Sequence, residues 1–254
     1  MSIHDRALLV DLSISQWGAR KHDKLATQAV TTQFNTSKKV GNYHKHLLPN
    51  SKQLAEIYKL NAGVREWFNL QTLAWSENGS RLLSSQYYMG FNEMFRIKQS
   101  TVDTAVTFFL YVYEQQVLEA KNDLGQLYNP SDYPTKAKLI QKFSCKVEFF
   151  PLPKVTDFRI DIGNYEKAEF EKTILARETE ARKLVWQQLY NCVSKIVEIL
   201  KDPEKRFHDS NLTKTIELCE ILPRLNMFDD TNLEQMGEHI STIAKTLTPE
   251  DTGN

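Results

Sequence analysis

Three groupings of side chains in this 254-residue sequence have the types and spacing to do chemistry. The first is Trp17-Gly18-Ala19-Arg20-Lys21-His22-Asp23-Lys24, where an aromatic and three cations follow the end of a strand. Helix-start amides together with Arg20, Lys21 and Lys24 can hold phosphates, and Trp17 can stack on a base. Lys38, Lys39, Lys45 and Arg65 enlarge the same basic surface if the fold brings them together. These eight residues are the candidate nucleic-acid or partner-binding set. The commoner outcome for such a run is that Trp17 plugs a core while the cations form a wet helix face.

The second grouping is His22, His44 and His46, whose neutral imidazoles can ligate a divalent metal if Asp23 joins them. They stand in or beside a polar loop with no defined geometry, so solvated histidines are expected and no metal. The third is Asp157, Arg159 and Asp161, which alternation places on one side of a strand. Paired carboxylates around a guanidinium can act in acid and base work. A solvated ion-pair ladder is far commoner. Cys145, Cys192 and Cys219 are odd in number and sit in apolar surroundings, the pattern of buried free thiols. No catalytic residue is assigned and no cofactor is expected.

The elements that would position these groups follow from periodicity. Val10, Leu12 and Ile14 alternate with Asp11, Ser13 and Ser15, which predicts a half-buried strand. Arg20 to Phe34 then forms a helix with Leu25, Ala29 or Val30, and Phe34 inward, and Asn35 to Ser51 is a polar loop. Two helical stretches occupy residues 52–76, and an aromatic helix carries Leu82, Leu83, Tyr87, Tyr88, Phe91, Met94 and Phe95. Thr101 to Leu127 is the most apolar helix. Val102, Val106, Phe109, Tyr113 and Val117 run down one stripe with Ala105, Phe108 and Val112 beside it, as in a central helix contacted on several sides. Period two returns at Val147 and Phe149, and again at Phe158, Ile160 and Ile162. Tyr165 to Lys201 is a long helix striped by Ile174, Ala181, Val185, Leu189 or Gln188, Cys192, Ile196 and Ile199, close to heptad spacing. Leu212 to Leu222 and Leu233 to Leu247 form a hairpin about Pro223 to Asp230, with Thr231 and Glu234 spaced as a capping box.

The expectation is therefore an α+β class, predominantly α-helical, with long helices packed on a small three-stranded sheet and a C-terminal helical hairpin. Residues 1–207 form one domain, 208–247 the hairpin packed on it, and 248–254 a frayed tail. With 41% hydrophobic residues, 9 Gly and 8 Pro, the chain is not disordered or collagenous. Its longest apolar run, Phe108 to Tyr113, is far short of the ~20 residues that span a bilayer, and Met1 to Arg6 lacks a signal-peptide layout. A cytoplasmic protein with no membrane association is expected. Residues 1–100 carry 13 Lys and Arg against 7 Asp and Glu, and residues 101–254 carry 19 against 25. The basic part can face a polyanion, or the acidic part of the same fold or of a second copy. Phosphate-loop, dinucleotide-fingerprint, H-E-x-x-H, C-x-x-C and G-x-S-x-G motifs are absent.

The segments Leu9-Val10-Asp11-Leu12-Ser13-Ile14-Ser15-Gln16-Trp17-Gly18-Ala19-Arg20-Lys21, Asp132-Tyr133-Pro134, Phe150-Pro151-Leu152-Pro153, Asp157-Phe158-Arg159 and Leu222-Pro223-Arg224-Leu225-Asn226 resemble a family of phage-encoded proteins of no assigned activity. Its members are often encoded near MoxR-type AAA ATPases and von Willebrand factor A-like proteins. The resemblance implies the cytoplasm of an infected bacterium and an accessory role, and it carries over no catalytic residue. The expected function is non-enzymatic: self-association as a homo-oligomer and binding of a protein partner, an AAA ATPase or a host factor. The long helix, the hairpin and the opposed charges of the two parts motivate that reading. The alternative is DNA or RNA binding in phage replication or recombination through the basic N-terminal part.

Overall fold

The structure, a computed structural model, describes residues 3–37, 40–76, 79–157, 163–201 and 209–246. In chain order its elements are α1 (Ile3–Arg6), β1 (Ala7–Ser15), β2 (Arg20–His22), α2 (Lys24–Gln33), β3 (His44–His46), α3 (Lys52–Gln71), β4 (Leu73–Ala74), β5 (Arg81–Ser84), α4 (Tyr88–Leu124), α5 (Lys136–Ile140), β6 (Ser144–Pro151), α6 (Asn164–Lys201), α7 (Asp209–Leu225) and α8 (Thr231–Thr246). Helices dominate and the sheet is small and antiparallel, so the α+β class holds. The sheet has four strands rather than three, in the order β4-β5-β1-β6, and β2-β3 form a separate ribbon.

Two of the four strands, β4 and β5, stand where the sequence predicts helix, and β5 shows why. Its residues Leu82 and Leu83, expected at the start of a helix, are both fully buried. An inner strand covered on both faces shows no alternation, and a short apolar run then reads equally well as helix. Register pairs Leu82 with Leu9 of β1 and with Leu73 of β4. The strand expected at Phe158 to Ile162 lies outside the described residues. No helix among the described residues is long and apolar enough to cross a membrane.

The chain forms two compact units assembled from interleaved segments. One comprises Met1–Leu12, Arg65–Met94 and Val147–Asn254, the other Ser13–Val64 and Phe95–Lys146. In the first, Ala181, Val185 and Leu189 of α6 join Leu218, Leu222 and Leu225 of α7, Leu233 of α8, and Leu73 and Leu82 of the sheet in one buried cluster. Of the α6 stripe, Ile174, Ala181, Val185 and Leu189 are buried where their spacing puts them, inside this unit, and Cys192 is partly buried against the same cluster. The α7–α8 hairpin belongs to the same cluster. A Cβ on Gly237 would come 2.8 Å from Leu222 Cδ1, so α8 packs its glycine against the end of that leucine side chain. Helix α7 continues through Pro223 to Leu225, and the cap of α8 is Asp230 rather than Thr231: Leu233 N donates to Asp230 Oδ1 at 3.2 Å. Glu234 instead accepts from Asn226 Nδ2 at 2.8 Å.

In the second unit Trp17 packs against Phe109 and Tyr113 at ring-centroid distances of 6.4 and 5.9 Å, and Phe109 meets Phe143 at 6.0 Å. Helix α2 is shorter than the sequence predicts and its inner face is polar. Leu25 is 80% and Phe34 67% exposed, whereas Thr27 and Thr31 are buried. Hydrogen bonds decide this orientation. Thr27 Oγ1 donates to Asp23 O at 2.7 Å and accepts from Tyr43 N at 3.0 Å, which ties the helix to the segment before β3.

Candidate interaction surfaces

The segment read as a helix start and a polar loop is a two-stranded ribbon. Antiparallel register sets Arg20 opposite His46, Lys21 opposite Lys45 and His22 opposite His44. Before it the chain turns at Ala19, which takes a left-handed φ of 46° and accepts a hydrogen bond from Leu47 N at 2.7 Å. His22 and His44 lie with ring centroids 5.4 Å apart. Among the described residues no group of three or more His, Cys, Asp or Glu could hold a metal ion.

Lys45 is only 5% exposed and points inward. Its Nζ lies 2.8 Å from Asp23 Oδ2 and 2.9 Å from Asp132 Oδ2, and it donates to Leu127 O at 2.5 Å. Three acceptors thus match the three donors of the ammonium. Burial by itself would lower the Lys45 pKa, but the two carboxylates outweigh it and the value is raised. Asp23 is held below its ordinary value by the Ala26 N–H and then by Lys45. This arrangement holds structure and leaves no charge on Lys45 for an external anion. Trp17, 8% exposed, is likewise core and unavailable for stacking on a base.

Of the other candidates, Arg20, Lys21 and Lys24 are exposed, as is Arg65, which stands on α3 within the first unit. Lys38 and Lys39 lie outside the described residues. Arg20 and His46 line a cleft of about 370 Å³ together with Gln16, Ser51 and Tyr58. The Tyr58 hydroxyl already donates to Trp17 O at 2.7 Å, and burial pushes its pKa up against the opposing effect of Arg20. Burial likewise takes Tyr113 and Tyr133 to about 12; their hydroxyls donate to Pro134 O and Leu47 O. These phenols are protonated donors in the fold. Burial also raises Cys192 and Cys219, which disfavours the thiolate. Asp157 accepts from Lys154 N at 2.6 Å, and Arg159 and Asp161 lie outside the described residues.

The surface that sequence reasoning missed runs along α4. Val102, Val106, Phe109 and Tyr113 are buried as their stripe predicts, while Val117 is half-buried and Ala120, one turn on, closes the buried face. The sequence sets Phe108 beside that stripe, yet it is 53% exposed, with Ile97 at 55%, Tyr111 at 80% and Leu118 at 64%. Counted as a heptad, Ile97, Thr104, Tyr111 and Leu118 take one seam position, and Thr101, Phe108, Gln115 and Asn122 take the other. All eight are exposed and none is charged. The steps of four and three from Ile97 to Asn122 are visible in the sequence. They are hidden there because the opposite face is apolar too, and periodicity does not say which of two apolar faces a fold covers. No protein-family model, no curated protein and no solved structure matches this chain.

Proposed function

We propose that this chain is a non-enzymatic association protein that pairs with a second copy and presents the pair to a protein partner. The reading rests on one observation: α4 carries an uncharged, exposed heptad seam on the face opposite its core stripe, about 37 Å long at 1.5 Å per residue. Large apolar side chains gathered on one exposed face, here Ile97, Phe108, Tyr111 and Leu118, mark an interaction site on a folded protein. The α6 stripe is spent within its own unit, so the outer face of α4 takes over the role expected of the long helix. The resemblance to phage-encoded proteins suggests an accessory task in the bacterial cytoplasm with an AAA ATPase or host factor as the partner.

Size-exclusion chromatography with light scattering tests this reading. The wild-type chain at micromolar concentration is expected to run above monomer mass, and the Phe108→Glu/Tyr111→Glu variant as a monomer with unchanged helical content and melting temperature. A wild-type chain that stays a strict monomer overturns the self-association half.

The exposed Arg20 and Lys21 of β2 and Lys24 at the start of α2 favour a second reading, polyanion binding. It requires DNA or RNA affinity that weakens as salt rises.

A further inference from the structure

Resting on the association reading, we infer that the occupant of the α4 seam is α4 of a second copy running antiparallel, with the two-fold axis passing between residues 109 and 110. Phe108 of each copy then packs against Tyr111 of the other, so four aromatic rings meet at the centre of the interface. One layer outward on either side Thr104 faces Gln115, and beyond it Thr101 faces Leu118. At the ends Asn122 lies beside Ile97, where its amide stays open to water.

Two features of the chain fit a helix as occupant. The hydroxyl donors of the seam are already used within α4, since Thr101 Oγ1 donates to Ile97 O at 3.0 Å and Thr104 Oγ1 to Ser100 O at 2.8 Å. Gln115 Nε2 donates to Glu119 Oε1 at 3.0 Å. Covering the threonines therefore leaves no orphaned donor, the usual cost of burying hydroxyls. The second feature is Ala105 and Val112, both half-buried on one flank of the seam. Antiparallel pairing sets them against each other across the axis and extends the apolar contact.

Charge selects the second copy and its direction. Flanking residues of a coiled coil set partner choice and orientation. In an antiparallel pair residues on the same flank meet, which brings Glu119 beside Lys98 of the second copy on one flank. On the other flank Lys121 comes beside Ser100 and Glu114 beside Thr107, so no like charges are opposed. In a parallel pair Glu114 of each copy would face Glu119 of the other while Glu93 faced Lys98, each twice per dimer, so a repulsion offsets the attraction that the antiparallel pair keeps unopposed. Glu114 is 75% exposed and pairs with the half-exposed Lys136 at 3.4 Å, so it remains a charge that such a pair must face.

Engineered cysteines read the orientation directly. Thr104→Cys and Gln115→Cys, both at exposed positions, are prepared as full chains, mixed, mildly oxidised and mapped by mass spectrometry; peptide identity separates the new disulfides from any involving Cys145, Cys192 or Cys219. The antiparallel pair predicts a 104–115 disulfide at least tenfold over 104–104, because residues 104 of the two copies then stand about 16 Å apart along the axis. A dominant 104–104 disulfide overturns the antiparallel inference while the association reading stands. A dimer that forms neither removes α4 as its interface and overturns the inference. A monomer by light scattering overturns both.

Discussion

Lys45 Nζ and Asp23 Oδ2 stand 2.8 Å apart with side chains only 4% and 12% exposed, in a ribbon that the sequence presents as a polar loop. Asp23 serves two elements at once. Its Oδ1 caps α2 by accepting from Ala26 N at 3.0 Å, while its other oxygen holds β3 through Lys45. Asp132, far along the chain, completes the site at 2.9 Å.

Lys45→Met should therefore lower stability by about 3 kcal/mol, within the range for breaking a buried ion pair, because two carboxylates are left facing each other without a cation. Urea unfolding measures it. A loss below about 1 kcal/mol, the exposed-pair value, would show that water reaches this site.

Asp230 gives a pH-dependent counterpart in the first unit. Trp186 Nε1 donates to its Oδ2 at 2.9 Å and holds the carboxyl below its ordinary value, helped by the Leu233 N–H. A depressed carboxyl contributes stability above its unfolded pKa and loses it as pH falls through the lower folded one. Asp230→Ala removes a cap and strands the indole N–H, an expected cost of about 2 kcal/mol at neutral pH. Asp230→Asn keeps one acceptor oxygen and sets an NH2 against the second N–H, so it should cost about 1 to 2 kcal/mol there, while flattening the fall in melting temperature on acidification. Equal acid sensitivity in Asp230→Asn and wild type would assign that fall to other groups, Asp23 first.

What the sequence made legible follows from which faces are covered. α6 buries one face, so the Ala181–Val185–Leu189 spacing identifies it; β1 buries Ala7 on one face and Val10 on the other, and its alternation stays visible because Ser13 and Ser15 are exposed. α2 defeats the same logic because Thr27 and Thr31 are held inward by hydrogen bonds while Leu25 and Phe34 face water. β5 defeats it because both faces are buried. The two units are likewise hidden, since β1, α3, α4 and β6 each supply residues to both and no linker separates them. Of the candidate site, the exposure of Arg20, Lys21 and Lys24 was readable as a run of cations. The burial of Lys45 was not, since its partner Asp132 is brought to it only by the fold.

For the exposed cations, Arg20→Gln/Lys21→Gln/Lys24→Gln should change stability by no more than about 1 kcal/mol per ion pair removed. If they neutralise phosphates, DNA affinity falls and the salt dependence becomes shallower by about one unit for each phosphate no longer neutralised. Gel shift at several salt concentrations decides. Unchanged affinity and slope would end the polyanion reading for this ribbon.

Glu119→Lys separates the two directions in which α4 can pair. The side chain is exposed, and its hydrogen bond from Gln115 is a local one worth about 0.5 kcal/mol or less, so the fold should tolerate the change. In the antiparallel pair the new lysine meets Lys98 of the second copy, and an attraction becomes a repulsion at both ends of the interface. The dissociation constant from sedimentation equilibrium should then rise several-fold at low salt, with the difference shrinking as salt screens the exposed charges. In a parallel pair the same lysine would meet Glu114, and the dimer would tighten instead. Tightening therefore overturns the antiparallel arrangement, and a constant that does not move at any salt concentration takes residue 119 out of the interface.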